Sequence, residues 1–222
     1  MTQLPHWRLL SVPLPRHSLP GKLIVFDGID GSGKSTHLEL LRRKLCTRIE
    51  CVTTSSPTKD LRKHRAWSRW HRQPQFRPQI DEFGLTLMAL GDRLVNQAGV
   101  IVPALRRGAV VLSDRYVLSV LAYWATPVHR EVIRHLLAPD LGIHCCVDPE
   151  LAAARVALDR NEPPELHDVQ LLRRHARRYE KLAPAYNYFP IDTSTDVLTA
   201  ANEIASVAFT LIFKDARAET PA

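Results

Sequence analysis

Short apolar segments of strand length recur along the chain and are separated by longer stretches in which apolar residues follow the period of a helix. The pattern predicts five strands, at roughly 22–27, 50–54, 109–113, 141–147 and 186–191. Helices are predicted at roughly 36–46, 79–99, 116–125, 129–138, 149–159, 168–183 and 195–213. Strands that alternate with helices are typical of an α/β domain, in which helices cover both faces of a mostly parallel sheet.

The first 20 residues differ from the rest of the chain, because they contain four prolines and no periodic apolar pattern. We expect residues 1–20 to form an irregular arm. The prolines interrupt its short apolar stretch and no small-residue cleavage site follows, so a signal peptide fits poorly. A mis-assigned start codon and an interaction arm both stay open. Residues 21–214 are predicted to form a single domain, followed by a tail at 215–222.

The composition fits one folded domain, since 45% of the 222 residues are hydrophobic and 24% are charged. No apolar run approaches the roughly 18 residues that span a bilayer, so no membrane association is expected. The four cysteines show no C-x-x-C spacing and are too sparse for a disulfide scaffold, which favours a reducing, cytoplasmic compartment. A net charge of +7 favours an anionic partner without identifying it.

Residues 59–77 form a basic segment in which aromatic side chains alternate with lysines and arginines. Such a segment could bind nucleic acid through phosphate contacts and base stacking. The alternative is an amphipathic helix with Trp67 and Trp70 turned inward and the arginines in solvent or lining a phosphate site. No recognised nucleic-acid-binding module surrounds the segment, so we expect no nucleic acid partner.

Residues 28–35 read G-I-D-G-S-G-K-S and match the phosphate-binding loop G-x-x-x-x-G-K-[ST], with a predicted strand before and a helix after. The glycines let backbone N–H groups converge on a phosphate. Lys34 adds a positive charge for the β and γ phosphates, and Ser35 offers a hydroxyl to Mg²⁺. The following helix attracts the same anion with its amino terminus. These features predict a nucleoside triphosphate site in a P-loop NTPase fold, a three-layer sandwich with a five-stranded parallel sheet flanked by helices.

Further motifs, in the same order and at similar spacing, resemble the thymidylate kinase family of nucleoside monophosphate kinases over roughly 22–213. The family pattern F-E-G-x-D-G-S-G-K-S-T is matched at 26–36, with Asp27 in place of glutamate. D-R-Y-x-x-S-x-x-A-Y-Q is matched at 114–124, with Trp124 in place of glutamine. Shorter matches are P-D-L at 139–141, D-P-E at 148–150, D-R-N-E at 159–162, R-Y-E-K-L-A at 178–183 and I-D at 191–192.

The resemblance implies an ATP- and Mg²⁺-dependent kinase that transfers the γ-phosphoryl group of ATP to dTMP and gives dTDP. It also implies a homodimer. Lys34, Arg115 and Arg160 would spread the charge of the transferred group, while Ser35 and Asp114 would hold the metal. The residues that the resemblance assigns to catalysis are Lys34, Arg115, Arg160 and Asp30. Those that it assigns to ATP binding are Gly28, Asp30, Gly31, Ser32, Gly33, Lys34, Ser35, Thr36 and Arg155.

The resemblance also implies a pocket for the acceptor. Arg115 would hold the acceptor monophosphate with its planar guanidinium, Arg93 would hydrogen-bond the base, and Tyr116 would crowd the 2′ position of the sugar. A salt bridge for Arg115, a solvated position for Arg93 and a core position for Tyr116 are the alternatives. The full set assigned to the acceptor is Asp30, Lys59, Ala89, Arg93, Arg115, Tyr116, Ser119, Tyr123 and Trp124.

The departures from the family pattern concern the acceptor. The family's T-R-E-P is T-S-S-P at 54–57, without the arginine that holds the acceptor phosphate, and Lys59 is the candidate to replace it. The aromatic residue that stacks on thymine is replaced by Ala89, and Trp124 replaces the base-reading glutamine. A kinase that acts on another nucleotide or on an acceptor from specialised metabolism is therefore an alternative.

The lid, expected at about 155–168, is shorter than in bacterial relatives. Some members carry a catalytic arginine at the position of Gly31. Those without it usually draw that charge from the lid, which makes Arg160 or Arg155 the candidate. The altered lid leaves open a non-catalytic nucleotide-binding regulator. An apolar stripe, Phe83-Leu87-Leu90-Leu94, could form the dimer interface or simply belong to the core.

Overall fold

The five predicted strands form one sheet in a computed structural model, which describes residues 12–73, 81–123, 129–161 and 168–213, without the side chains of Arg72 and Arg160. The strands are β1 (Lys22–Asp27), β2 (Cys51–Ser55), β3 (Val110–Asp114), β4 (Leu141–Cys146) and β5 (Tyr188–Asp192). They pair in parallel in the order β2-β3-β1-β4-β5. This arrangement confirms the predicted α/β fold class.

Ten α-helices connect and flank the described strands. They are α1 (Lys34–Leu45), α2 (Lys59–Lys63), α3 (Arg65–Arg72), α4 (Glu82–Asn96), α5 (Val102–Arg106), α6 (Val117–Tyr123), α7 (Arg130–Ile133), α8 (Pro149–Arg160), α9 (Val169–Leu182) and α10 (Val197–Phe213). A π-helix, Gln97–Ile101, joins α4 to α5, and a 3-10 helix, Ala183–Tyr186, follows α9.

Two helical predictions need correction. Residues 59–73 of the basic segment form two short helices, because His64 is extended, with φ −59° and ψ 135°, and its ring accepts a hydrogen bond from the Ala66 N–H. Residues 74–77 lie outside the described residues. The helix predicted at 129–138 is the single turn α7, which ends at Ile133. Trp67 is buried and Trp70 packs against the same core, as the amphipathic interpretation requires.

Alternate residues of the central strand β1 enter two separate cores. Leu23 and Val25 pack with residues of α4, α5, α6 and α9 on one face of the sheet. Ile24 and Phe26 pack with residues of α1 and α10 on the other. Both faces are therefore covered, which produces three layers and directs the ligand-binding chemistry to the carboxyl ends of the strands.

The described part of the amino-terminal arm lies at the opposite, amino-terminal edge of the sheet. The buried Val12 donates its N–H to the Tyr186 hydroxyl at 2.9 Å, and the Pro15 carbonyl accepts from the Ala138 N–H at 2.8 Å. His17 Nε2 lies 3.0 Å from a carboxylate oxygen of Asp140, just before β4. Residues 12–20 thus pack on the domain while having no helix or strand of their own. Within the described ranges, no helix has both the length and the apolar character to cross a membrane.

Candidate active site

The phosphate-binding loop connects β1 to α1 at the carboxyl end of the central strand. Gly33, which caps α1, has a φ of 75°, in the left-handed region that glycine adopts without strain. Gly31 has a φ of 79°, and a Cβ there would lie 2.2 Å from the Ala152 carbonyl oxygen of α8. Helix α8 therefore sits directly against the loop, and only glycine fits at residue 31.

Lys34 is folded into this loop. It is 6% exposed, and its Nζ donates to the Ile29 carbonyl at 2.7 Å and to Ser32 Oγ at 3.4 Å. Burial, assisted by the charge of Arg115, lowers the pKa of Lys34 to about 8, and Asp30 and Asp114 oppose that shift. The ammonium group is still a cation at neutral pH, held where phosphate oxygens would enter the loop.

Ser35 and Asp114 meet beside the loop from two different elements. Ser35 is the second residue of α1, Asp114 ends β3, and the Ser35 hydroxyl donates to Asp114 Oδ2 at 2.5 Å. Mg²⁺ prefers oxygen ligands and takes one or two carboxylates together with substrate phosphates. A hydroxyl and a carboxylate converging next to a phosphate site fit that requirement.

Arg115 turns back over the loop directly after β3. Its φ of 68° is unusual for a residue other than glycine, and its N–H donates to the Phe26 carbonyl at 2.8 Å. The guanidinium donates through Nη1 to the Gly28 carbonyl at 3.0 Å and through Nη2 to Asp30. Its Cζ lies 5.4 Å from the centre of the Tyr123 ring, within cation–π range. A second fixed cation therefore stands across the loop from Lys34.

Comparisons with known proteins find thymidylate kinases that are similar to this chain. A thymidylate kinase from Akkermansia muciniphila is 41% identical over 116 residues, 51% of this chain and 54% of that protein. A probable thymidylate kinase from Pyrobaculum aerophilum is 31% identical over 189 residues, 83% of this chain and 94% of that protein. A thymidylate kinase from Cupriavidus metallidurans is 33% identical over 151 residues, 62% of this chain and 70% of that protein. The first match thus spans about half the length of its relative.

The thymidylate kinase family model matches residues 26–204. The chain belongs to the thymidylate kinase family. This membership confirms the resemblance found in the sequence motifs and makes the protein a phosphotransferase. The matched range begins near the end of β1 and ends within α10, so it includes the loop that carries Lys34 and the strands β2 to β5.

Arg93, the arginine that the family resemblance assigns to the acceptor base, is 2% exposed. Its guanidinium donates to the Tyr116 carbonyl at 2.8 Å, to the Ala89 carbonyl at 2.7 Å and to Ser119 Oγ at 3.0 Å. Ala89 is also buried, at 1% exposure. The structure thus brings Arg93, Ala89 and Ser119 together, and all three nitrogens of the guanidinium donate to oxygens of the protein.

Tyr116 lies in the core rather than on an open surface. Its side chain is fully buried, and its hydroxyl donates to Gln97 Oε1 at 2.6 Å in the π-helix. The same Gln97 oxygen accepts from the Leu137 N–H at 2.8 Å. This position corresponds to the core alternative for Tyr116. Tyr123, by contrast, packs its ring next to Arg115 and 4.0 Å from His175, between centroids.

The remaining predicted residues occupy several positions. Ser32 is buried in the loop and Thr36 is exposed on α1. Lys59 is exposed at the start of α2, whose cap residue Thr58 donates its N–H to Asp92 at 2.9 Å. Trp124 lies outside the described residues, as does the lid segment at 162–167, and Arg160 ends α8.

Arg155 lies on the α8 side of the loop. Its Nη2 donates to the Thr193 carbonyl at 3.0 Å. The Thr193 hydroxyl in turn lies 3.0 Å from the Ser32 carbonyl, to which it donates. The Arg155 guanidinium is therefore linked to the phosphate-binding loop through Thr193.

A separate cleft of about 490 Å³ opens where β4 and β5 meet α8 and α9, and it touches the loop at Ile29. None of the described residues predicted for the site lines it. Its charged lining residues are Arg173, Arg177, Asp148, Glu180 and Asp192. Two arginines against three carboxylates do not select one class of ligand by charge.

Asp27 has a role that the sequence motifs did not reveal. It is fully buried at the end of β1, and its two carboxylate oxygens accept from the hydroxyls of Tyr179 at 3.4 Å and Tyr188 at 3.2 Å. Burial raises the pKa of Asp27 to about 6, although Arg115, Arg93 and Lys34 oppose the shift. A carboxylate at the end of an otherwise apolar strand was the available signal, because such a group needs partners when buried.

Ionisation of Asp27 is expected to make folding stability depend on pH. The raised pKa, about 6 against an ordinary 3.8, means that the folded state favours the protonated form. The contribution of this group to folding stability is therefore fully present below about pH 4 and is lost as pH rises through about 6, by about 3 kcal/mol. Urea unfolding of the wild type and Asp27→Asn from pH 4 to 7 measures the difference in slope.

The asparagine variant lacks the carboxyl group that titrates, so its stability relative to wild type should improve as pH rises through this window. Asp60→Asn, at an exposed carboxylate of α2, is the control and should follow the wild-type profile. Parallel profiles for wild type and Asp27→Asn would show that Asp27 does not titrate in this range.

Proposed function

We propose that this protein transfers the γ-phosphoryl group of ATP to dTMP, giving dTDP and ADP. The observation that carries the proposal is the placement of Arg115. Its guanidinium is fixed by Gly28 and Asp30 of the phosphate-binding loop, across from the buried Lys34. Two phosphate-bearing substrates can meet only where cations neutralise both, and membership in the thymidylate kinase family supports a nucleoside monophosphate as the second substrate.

The transfer needs alignment and charge stabilisation more than acid–base chemistry. Backbone N–H groups of the loop and Lys34 hold the β and γ phosphates of ATP, while Arg115 holds the monophosphate in line with them. Ser35 and Asp114 would hold Mg²⁺, which supplies further positive charge to the β and γ oxygens when bound. Direct in-line transfer requires no covalent intermediate on the protein.

A second candidate function keeps the ATP site and changes the acceptor. Arg93 already donates to two backbone carbonyls and Ser119, and Ala89 offers no aromatic surface for a base. Ser55 also stands in place of the family arginine that would hold the acceptor phosphate. These observations favour another nucleotide or another phosphate-bearing acceptor over a typical thymine pocket.

A coupled assay of ADP release, with ATP and Mg²⁺, distinguishes these functions. The acceptors are dTMP, dUMP, dCMP, dGMP, dAMP and their ribose forms. Preference for dTMP supports the proposal, and preference for another monophosphate supports the second candidate. Binding of ATP without turnover on any acceptor would contradict dTMP kinase activity and favour a nucleotide-binding regulator.

We also propose that the protein is a homodimer, formed through the outer face of α4. Phe83, Leu87 and Val95 are 42%, 40% and 74% exposed and follow one another at four- or eight-residue spacing on this helix. Leu90 belongs to the core instead, because it is fully buried. The apolar stripe predicted from the sequence therefore divides into an outward part and an inward part. A cytoplasmic location is consistent with the four free cysteines.

Leu87→Glu should convert the dimer to a monomer, because a carboxylate would be buried at the centre of the interface. Light scattering coupled to size-exclusion chromatography measures the mass. Leu198→Glu, at an exposed leucine of α10, should leave the mass unchanged. A monomeric wild type, or a dimer that survives Leu87→Glu, would rule out this interface.

A further inference from the structure

Tyr179 of α9 stands between the buried Asp27 and the guanidinium of Arg115. Its side chain is fully buried, and its hydroxyl oxygen accepts from Arg115 Nη1 at 3.2 Å. The same hydroxyl donates to Asp27 Oδ1 at 3.4 Å. A phenol has one hydrogen to donate, so donation to Asp27 leaves the lone pairs of its oxygen for Arg115. Asp27 thereby orients the Tyr179 hydroxyl so that its oxygen accepts the hydrogen bond that Arg115 donates to α9.

The ring of Tyr179 is held on two sides. It stacks on His144 of β4, with centroids 5.5 Å apart and planes 19° apart. It also meets the Tyr123 ring edge-on, at 6.1 Å and 80°. The Tyr123 ring in turn lies against the guanidinium of Arg115. The phenol oxygen is therefore fixed by packing, which makes it a rigid partner for a long and flexible side chain.

The hydrogen-bond partners of Arg115 differ in their exposure to solvent. The Gly28 carbonyl and the Tyr179 hydroxyl both bind Nη1, whereas the Asp30 carboxylate, with half of its side chain exposed, binds Nη2. Nη1 therefore faces the interior of the protein, and Nη2 faces the Asp30 carboxylate, which solvent and substrate can reach. Fixing Nη1 leaves Nη2 free to exchange a carboxylate for a phosphate without moving the arginine.

We propose that Tyr179 is a positioning residue that holds Arg115 in the orientation in which it receives the acceptor phosphate, with Asp27 as its anchor. This inference rests on the proposed function, since it assigns Arg115 to an acceptor phosphate. Tyr188 provides the matched comparison. Its hydroxyl donates to the other oxygen of Asp27 at 3.2 Å, and among the described residues it makes no hydrogen bond to Arg115.

The two phenylalanine variants separate positioning from packing. Tyr179→Phe keeps the ring contacts and removes the oxygen that Arg115 binds. We expect the KM for dTMP to rise and kcat to fall by a combined three- to tenfold, about the value of one hydrogen bond, with the KM for ATP unchanged. Tyr188→Phe should have the same kcat, KM for dTMP and KM for ATP as wild type. Equal effects of the two variants on dTMP, or no effect of Tyr179→Phe, would overturn the proposal.

A readout without any acceptor distinguishes this inference from the proposed function. The side-chain ¹H–¹⁵N signals of Arg115, assigned by their loss in Arg115→Lys, should shift or broaden in Tyr179→Phe and stay in place in Tyr188→Phe. If wild type fails to phosphorylate dTMP while these signals respond as expected, the proposed substrate is wrong and the positioning of Arg115 stands. If the signals are the same in both phenylalanine variants, Tyr179 does not position Arg115.

Discussion

Replacing Lys34 with alanine is expected to lower the rate of phosphoryl transfer by at least about 10³-fold, because this residue supplies a preorganised positive charge to the transferred group. Its Nζ is held 2.7 Å from the Ile29 carbonyl oxygen, inside the loop, where phosphate oxygens would enter. The ammonium group acts where charge develops, and its loss should lower kcat more than it weakens ATP binding. Single-turnover kinetics with saturating ATP and acceptor measure the effect on chemistry directly.

Lys44→Ala is the control on the same helix. Lys44 is exposed and donates to Asn202 on α10, away from the loop, so its removal should leave turnover unchanged. Thermal unfolding of Lys34→Ala should show no large loss of stability, because burial already disfavours its charged form. Turnover that survives Lys34→Ala would show that the phosphate-binding loop is not the ATP site.

Replacing Arg115 with alanine is expected to lower kcat/KM for the acceptor by about 10²- to 10³-fold. The same guanidinium meets the acceptor phosphate in the ground state and in the transition state, so KM should rise and kcat should fall together. The KM for ATP should change little. Steady-state kinetics with each substrate varied in turn measure the division between the two constants.

Arg115→Lys should recover part of the loss, because lysine restores a point charge without the planar fork that also reaches Gly28 and Tyr179. Arg107→Ala is the control, because it removes an arginine that pairs with Glu50 on the surface. This variant should have the same kinetic constants as wild type. Unchanged KM and kcat in Arg115→Ala would remove Arg115 from the acceptor site.

The strands were predictable because a sheet buried on both faces needs nearly continuous apolar segments, and β1 was located to the residue. The helices were less predictable where the chain changes direction without a break in its apolar pattern. The helix predicted to end at 99 continues through a π-helix into α5, and Pro103 is tolerated because it lies in the first turn of α5.

The phosphate-binding loop could be predicted from local sequence because all of its groups lie within eight consecutive residues. The contacts around Arg115 could not, because they join residues far apart in the chain. Tyr179 lies 64 positions after Arg115 and 152 positions after Asp27. The R-Y-E-K-L-A motif includes Tyr179, but only the packing of α9 on α6 shows which groups its hydroxyl joins.

The contact between Gly31 and α8 limits how this chain could gain a positive charge inside the phosphate-binding loop. A side chain at residue 31 would begin 2.2 Å from a backbone oxygen of Ala152, which cannot rotate away. An arginine added to the loop would have to displace α8, and with it Arg155 and its hydrogen bond to Thr193, before it could contribute any charge. A positively charged side chain at residue 31 would therefore require a shift of the loop or of α8, and that shift would change the position of Arg155.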